Sequence, residues 1–547
     1  MTAPVPPPVL IAGGGPVGMT CALALAQHGV RSVLFERNPD TTRHPKMDIT
    51  NGRSQELFRR LGLAEKLRDV AVPRDHVLDV AWVTNMAGYE LHRFRYPSPD
   101  DQRAAFAAAN DGRQPLEPAM RVSQVVIEPV LKTAVLANPL IEAHWGVAVE
   151  GVAQDADGVT LTVRDRGSDQ VRQVRGRYLV GCDGGSSAVR RALDIGVEGK
   201  HAVSNRFMIH FRSQARNVLQ RFGIAWHYQS PMGTLIAQDD DEIYTLHARF
   251  PEGMDTSNVD PLPTLFAALG TEIEAEILVA NPWTPHLLVA DRYQQGRVFL
   301  AGDAAHQYIP TGGYGMNTGI GDAIDIAWKL AAVCQGWGGS QMLASYEAER
   351  RPIGLINRDW SERHTGVRIY IAEAYAKWLS TENYDASRAN LAAFIANAGN
   401  LENEASGIEF AYRYDASPLV APILGQFETA PPPPNDPATI PTTAWTGMRA
   451  PHLFDNTGTA IFDRLATNGL TLLRFNGQGD PAPMLEEAAR HNIPLHLVEI
   501  ASDQARQVYG TDLALVRPDQ HLAWRGNAAK IEALHIACGH LPGAPTL

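Results

Sequence analysis

The apolar run in "PVLIAGG" predicts a short strand, and the small-residue stretch "PVGMTCALALAQHG" predicts a helix stopped by Gly29. "SVLFER" adds a second strand, so the chain opens on a β-α-β unit. A helical stretch around 53–63 follows, and "VLDVAWVTNMAGYELHRF" reads as two strands about a turn. From Arg121 to Ala137 the spacing of Val125, Leu131 and Val135 predicts a helix in spite of Pro129. Residues 145–180 are strand-rich and charged. Between about 206 and 250, "RFMIHFR" and "EIYTLHARF" alternate apolar and polar positions, which predicts a sheet with one open face. "RVFLAGD" is a further strand. The helix running from it through Cys334 places Ile320, Ala323, Ile324, Ala327, Leu330, Ala331 and Cys334 on one face. Helices continue to about 400. The prolines of "ETAPPPPNDPATIPTT" predict a semi-rigid spacer, and 444–547 reads as a separate β/α unit with strands near "LTLLRF", "PLHLVEI" and "LALVRPD".

At 547 residues the chain exceeds one hydrophobic core, and two to four domains are expected. A formal charge of −12 argues against nucleic acid as a partner. No apolar run reaches the roughly 18 residues of a membrane span, and "MTAPVPPPVLIAGGG" lacks the basic start of a signal peptide. Cys21, Cys182, Cys334 and Cys538 are scattered without a CxxC pair, which suits reduced thiols in a cytoplasm and gives no metal site.

Gly13, Gly15 and Gly18 spell G-x-G-x-x-G between a strand and a helix, with Pro16 and Val17 filling the turn. In that context the first glycine allows the tight turn, the second lets a pyrophosphate approach the backbone, and the third lets helix and strand pack. The phosphates would meet unpaired helix N–H groups. Glu36, followed by Arg37, ends the second strand about 20 residues on, where a carboxylate accepts hydrogen bonds from an adenosine ribose.

A second glycine-rich stretch, "LAGDAAHQYIPTGGYGMNTGIGDA", lies almost three hundred residues later. FAD explains why one chain needs both. Asp303 is placed to accept from ribityl hydroxyls, Pro310 shapes a turn, and Gly312, Gly313 and Gly315 allow backbone contact with a flat ring. A helix expected to begin near Met316–Asn317 points its N-terminus at the ring, where a reduced flavin carries negative charge.

"GGGPVG", "GCDGGSSAVR" and "GRVFLAGDAAHQYIPTGGYGMNTGIGDAIDIAWKLA" resemble the three signatures of the FAD-dependent aromatic hydroxylases, the class A flavoprotein monooxygenases, over roughly residues 8–400. The phenol hydroxylase branch is the nearest in pattern, and "YGTDLALVRPDQHLAWRG" is similar to the end of its thioredoxin-like C-terminal domain, here without CxxC. The resemblance implies an α/β protein with a Rossmann-like FAD-binding domain in three pieces (1–80, 104–194, 286–427). It implies an inserted substrate-binding sheet (81–103, 195–285), the proline-rich linker 428–443, and a thioredoxin-like domain (444–547) for packing or homodimerisation. It implies that Asp183 and Gly184 lie near FAD, that Arg190 serves FAD or NAD(P)H, and that Gln124 and Arg53 lie near the cofactor. Tyr314, Ile324 and Ile326 depart from the family pattern.

The implied reaction is reduction of FAD by NADH or NADPH, addition of O2 at flavin C4a, and delivery of OH from the resulting C4a-hydroperoxyflavin to a phenolic ring. A base should raise the phenol's nucleophilicity, and a carboxylate whose pKa an apolar pocket raises would serve. Asp48, five residues before Arg53, has the spacing at which the phenol hydroxylases place their catalytic aspartate, so the resemblance implies Asp48 as the base. His44 and Lys46 are candidates for FAD phosphates or a substrate anion. His227, Tyr228 and His247, with His210, are candidate pocket walls, "PMGTL" a turn over the pocket, and His306 a brace for the loop. Two other readings stay open: epoxidation or Baeyer–Villiger insertion on a polyketide-like ring, and a scaffold without catalysis.

Overall fold

The computed structural model describes residues 6–250, 254–379, 384–420 and 432–540; the linker positions 428–431 lie outside them. A six-stranded sheet runs in the order Gln294–Gln295, Val298–Leu300, Tyr178–Gly181, Val9–Ala12, Ser32–Glu36, Ile141–Trp145. All its pairings are parallel except the first. Val9, Leu10 and Ile11 are fully buried, as a strand covered on both faces requires. The helices Pro16–Gln27 and Tyr314–Gln335 pack on it and on each other. Their closeness depends on glycine: a Cβ at Gly319 would stand 2.6 Å from the Val17 side chain and 2.9 Å from the Gly302 backbone.

Two helix starts differ from the sequence expectation. The stretch expected from Arg121 begins at Gln124, because Met120–Arg121 pairs with Ile49–Thr50 and Ser123 becomes the N-cap. The long helix begins at Tyr314, two residues before the expected Met316, because Gly313 at φ +67° sets the cap.

A second sheet has seven strands, ordered Glu276–Trp283, Arg206–Arg212, Ile243–Arg249, Gly233–Ala237, His227–Ser230, Val80–Val83, Glu90–Phe94. Its alternation sorts residues by face. Phe207, Ile209, Phe211, Tyr228, Leu235, Tyr244 and Leu246 form a core with Leu265 and Leu269 of the helix Pro261–Leu269. The other face looks toward the first sheet.

The C-terminal unit is a four-stranded sheet ordered Leu495–Ile500, Leu470–Phe475, Leu513–Val516, Leu522–Gly526, the first pair parallel and the others antiparallel. The edge strand Leu522–Gly526 and the helices Ala482–Arg490, Asp503–Tyr509 and Ile531–Ala537 had no distinct sequence signal. This unit is tied to the first through a buried ion cluster. The Arg517 guanidinium donates to Glu349 (2.7 Å to each oxygen), to Asp325 Oδ1 (3.2 Å) and to Asp519 Oδ2 (2.6 Å). Lys329 Nζ completes it at 2.7 Å from Asp325 and 2.6 Å from Glu349.

Removing one member of such a cluster leaves its partners charged and dry, at a cost of about 3–5 kcal/mol. Arg517→Ala is therefore expected to lower stability by that amount in denaturant unfolding; an unchanged midpoint would show that the cluster does not secure the C-terminal unit. A second expectation concerns acid. Burial pushes the His28, His247 and His521 imidazoles down to about 4 and that of His452 to about 3. An unfolded chain protonates them near 6.5, so the unfolded state holds more protons between those limits. Stability should fall as pH drops from about 6.5 toward 4, read as a lower denaturation midpoint at pH 5 than at pH 8; equal midpoints would contradict it.

Candidate active site

The strands Val9–Ala12, Tyr178–Gly181 and Val298–Leu300 are neighbours in one sheet, so the loops that follow them leave from one edge. Gly13, Gly15, Pro16, Val17, Asp183, Gly184 and Asp303 accordingly line a single cavity of about 1430 Å³. That is larger than the roughly 300–1,000 Å³ of a one-ligand pocket.

The glycines divide their work as the motif requires. Gly13 has φ +105°, and a Cβ there would lie 2.2 Å from the Cys182 carbonyl oxygen. Gly18 sits behind the turn, its missing Cβ 2.0 Å from Gly13 O. Gly15 is different: its φ of −72° suits any residue, and a Cβ there would meet open space. The bare backbone at 15 is thus left for something to approach. Glu36 accepts from Gly14 N (2.7 Å) and from both nitrogens of Asn38 (2.8 Å each), lies on the cavity wall beside Arg37, and keeps lone pairs for a hydroxyl donor.

The second and third loops are equally specific. Asp183 caps the helix Ala188–Ala192 through Ala188 N (2.7 Å) and Val189 N (3.1 Å). Pro310, Gly313, Gly315 and Met316 line the cavity next to Asp303. Gly312 and Gly313 both have positive φ, and no side chain caps the helix that begins at Tyr314, so its first N–H groups are free for a ligand. Asn317 secures that helix start: its side chain donates to Gly313 O (2.7 Å) and Ile49 O (3.3 Å) and accepts from Asn51 N (3.1 Å). It does not line the cavity itself. His306 braces the loop through Asp322 (2.9 Å), which also holds Gly302 N and Arg350. Gln124, His44 and Lys46 close the same wall. Tyr314 turns into the core, its hydroxyl 2.9 Å from His364 Nε2, and Ile324 and Ile326 are buried, so none of these three side chains lines the cavity. A bare-backbone turn at one end, an uncapped helix start at the other and acidic acceptors between them fit an FAD molecule.

Four further expected site residues do not line the cavity. Arg53 turns to the C-terminal unit, donating to Asp519 O (2.7 Å), to Gln520 and to Glu56, because the helix Gly52–Arg60 presents it on the far side from the cavity. Arg190 is buried and donates to Ala304 O (2.8 Å) and Gly185 O (2.9 Å), bracing two loops; Arg191 lines the cavity instead. Tyr228 falls on the opposite sheet face from His227, in the apolar core, with its hydroxyl bonded to Gly223 O. His210 is on the cavity-side face but bonds Thr245 (2.9 Å) without lining the cavity.

The far half of the cavity holds Asp48. Trp226 Nε1 donates to its Oδ2 at 2.6 Å and His227 Nε2 lies 3.0 Å from the same oxygen. Burial pushes the carboxyl up, but the bond and charge of His227 and the bond from Trp226 pull it down further, so it lies below the ordinary carboxylate value. This corrects the expectation of a raised pKa: the pocket at Asp48 is polar. His247, at about 4, is neutral, with its ring edge on Trp283. Arg206, Arg249 and Arg368 also line this half and were missed. The alternation of "RFMIHFR" and "EIYTLHARF" puts Arg206 with His210 and Arg249 with His247, a signal that a face assignment would have used; Arg368 has no sequence mark.

Because position 15 admits a side chain without strain, Gly15→Val should fold normally yet lose FAD. The expected readout is a colourless preparation with the parent's circular dichroism; a yellow Gly15→Val protein would show that the cofactor does not cross this turn.

Residues 7–361 match the family model described as FAD binding domain, and 443–545 match the one described as aromatic-ring hydroxylase, C-terminal. The FAD-dependent monooxygenase apdD of Emericella nidulans is 38% identical over 96% of this chain and 88% of its own. The 4-methyl-5-nitrocatechol 5-monooxygenase of a Burkholderia species is 31% identical over 95% of this chain and 94% of its own. Among solved structures, the rebeccamycin biosynthetic enzyme RebC with reduced flavin has a TM-score of 0.85 at 32% identity, covering 99% of this chain and 100% of that one. With this architecture and these matches, the chain belongs to the FAD-dependent aromatic hydroxylases, the class A flavoprotein monooxygenases.

Proposed function

We propose that the protein hydroxylates a phenolic ring held against Asp48, with FAD as the resident cofactor and NADH or NADPH as reductant. The observation that carries this reading is the Asp48 carboxylate: both protein donors reach Oδ2, which leaves Oδ1 as the acceptor for a substrate hydroxyl. Bound and reduced, FAD would supply the electrons that activate O2, and the oxygen atom transferred to the ring would come from O2.

The remaining work falls to the chain. The backbone at Gly13–Gly15 and Glu36 would hold the dinucleotide's phosphates and ribose; Asp303 and the N–H groups at Gly315 and Met316 would hold the ribityl and ring. Asp48, kept ionised by His227 and Trp226, is a weak base but a permanent acceptor. It polarises the phenol O–H and shares its proton as the ring becomes nucleophilic. The second sheet forms one wall of the site, which limits the water that reaches the reacting atoms. Relatives whose names specify 4-methyl-5-nitrocatechol and 2,4-dichlorophenol support a phenolic substrate. The same reading keeps the domain division given by the sequence. The C-terminal sheet has the strand order and directions of a thioredoxin fold, with no CxxC to exchange electrons. Four free cysteines suit a cytoplasmic enzyme, and among the described residues no helix is long and apolar enough to cross a membrane.

Asp48→Asn tests this reading. It should keep FAD and substrate binding while lowering the hydroxylation rate by about 10²–10⁴. Since Asp48 is already ionised, it should contribute no acid limb to the rate between pH 5 and 8. Product formation within threefold of the parent would remove Asp48 from the mechanism. Oxygen insertion into non-phenolic rings by Asp48→Asn would move the reaction to epoxidation or Baeyer–Villiger chemistry.

A further inference from the structure

Arg206 and Arg249 are directly opposed across two antiparallel strands, and both line the substrate half of the cavity. Like charges in that position repel, because opposed Cβ atoms stand only about 4.5–5.5 Å apart. A third guanidinium, Arg368 of the helix Ala344–Trp378, converges on the same wall and bonds Thr234 Oγ1 at 3.3 Å. Arg368 has a counter-ion in Glu402. Among the described residues neither Arg206 nor Arg249 has a carboxylate within ion-pair reach or a side-chain hydrogen bond, and the buried Arg249 Nε has no partner. Burial and the two neighbouring arginines push Arg206 down to about 10. At neutral pH two uncompensated cations therefore face the cavity.

Folding gains nothing from this pair, so the compensating charge is expected from a ligand. Resting on the hydroxylase reading, we infer that the substrate carries, besides its phenol, a carboxylate-class anion that Arg206 and Arg249 bind together. The phenol and the anion would sit at opposite ends of the site. His227, which holds Asp48, lies two strands from Arg249 and three from Arg206, roughly 10–15 Å at ~4.8 Å per strand. Trp283, opposed to Arg206 on its other side and also on the cavity wall, supplies an aromatic flank. Paired guanidiniums suit a planar two-oxygen anion better than a single charge. The other source of an anion is a phosphate of NAD(P)H, and the experiment separates the two.

The FAD-loaded enzyme is titrated with 6-hydroxy-2-naphthoic acid and with its methyl ester, binding being read from the perturbed flavin absorbance. The acid should bind at least about tenfold tighter than the ester. Arg206→Met and Arg249→Met should each bring the two within about threefold, with flavin content retained and a Tm at or above the parent's, since repulsion is relieved. Arg249→Lys should keep part of the preference. Equal binding of acid and ester by the parent would overturn the inference. So would Met variants that keep the acid preference while raising the KM for NAD(P)H, which would assign the arginines to the dinucleotide. Binding is read without turnover, so acid-selective binding with no hydroxylated product would sink the hydroxylase reading and leave this one standing.

Discussion

The site depends on the common register of three parallel strands. The ladder runs one residue past the strand ends: Cys182 N donates to Ala12 O at 2.7 Å and Ala301 N to Gly181 O at 3.0 Å. Loops separated by almost three hundred residues therefore start from one line, and the space above them is shared. The first turn and the second loop touch so closely that no side chain fits at Gly13. A ligand as long as FAD meets all three loops only because of that register, which places it at the carboxyl ends of parallel strands.

The chemistry is divided between two sheets, and Asp48 is where they meet. It precedes the strand Ile49–Thr50, on the cofactor side, yet its carboxylate is held by Trp226 and His227 at the start of an inner strand of the seven-stranded sheet. The Asp48 carboxylate thus keeps these two partners only when the sheets are seated on each other. Alternation in the second sheet does the rest: one face is spent on an apolar core under the helix Pro261–Leu269, and the other is free to be polar, with His227, Thr234, His247, Arg206 and Arg249 on the cavity wall.

The backbone of this site was legible and much of its side-chain chemistry was not. Gly13, Gly18 and Gly313 meet steric needs that a side chain would violate, and Gly15 and Gly315 leave bare backbone on the cavity wall, so all five could be placed from the motifs and their spacing. Arg53 and Arg190 could not, because an arginine reaches in any direction and its partners, Asp519 and Gln520 or the carbonyls of Ala304 and Gly185, are remote in sequence. Tyr228 failed for a simpler reason: adjacent strand residues point to opposite faces, so it and His227 could not both line one pocket. The lowered pKa of Asp48 was hidden because it comes from two donors almost 180 residues away.

The C-terminal unit lacks redox cysteines, but its attachment bears on the cofactor site. Lys329 and Arg517 are enclosed by Asp325, Glu349 and Asp519, two cations against three carboxylates. Burial pushes the Asp325 carboxyl well above its usual value, and the Lys329 and Arg517 cations beside it work against that shift. Asp325 and Lys329 belong to the helix Tyr314–Gln335, whose uncapped first turn walls the cavity. Undocking the C-terminal unit would strip Arg517 from this helix and leave Glu349 and Asp325 buried against a single lysine. The penalty for that state keeps the unit docked, and with it the axis of the helix whose N-terminus faces the ligand. A unit attached at the far end of this helix can in this way fix the position of the dipole at its N-terminus.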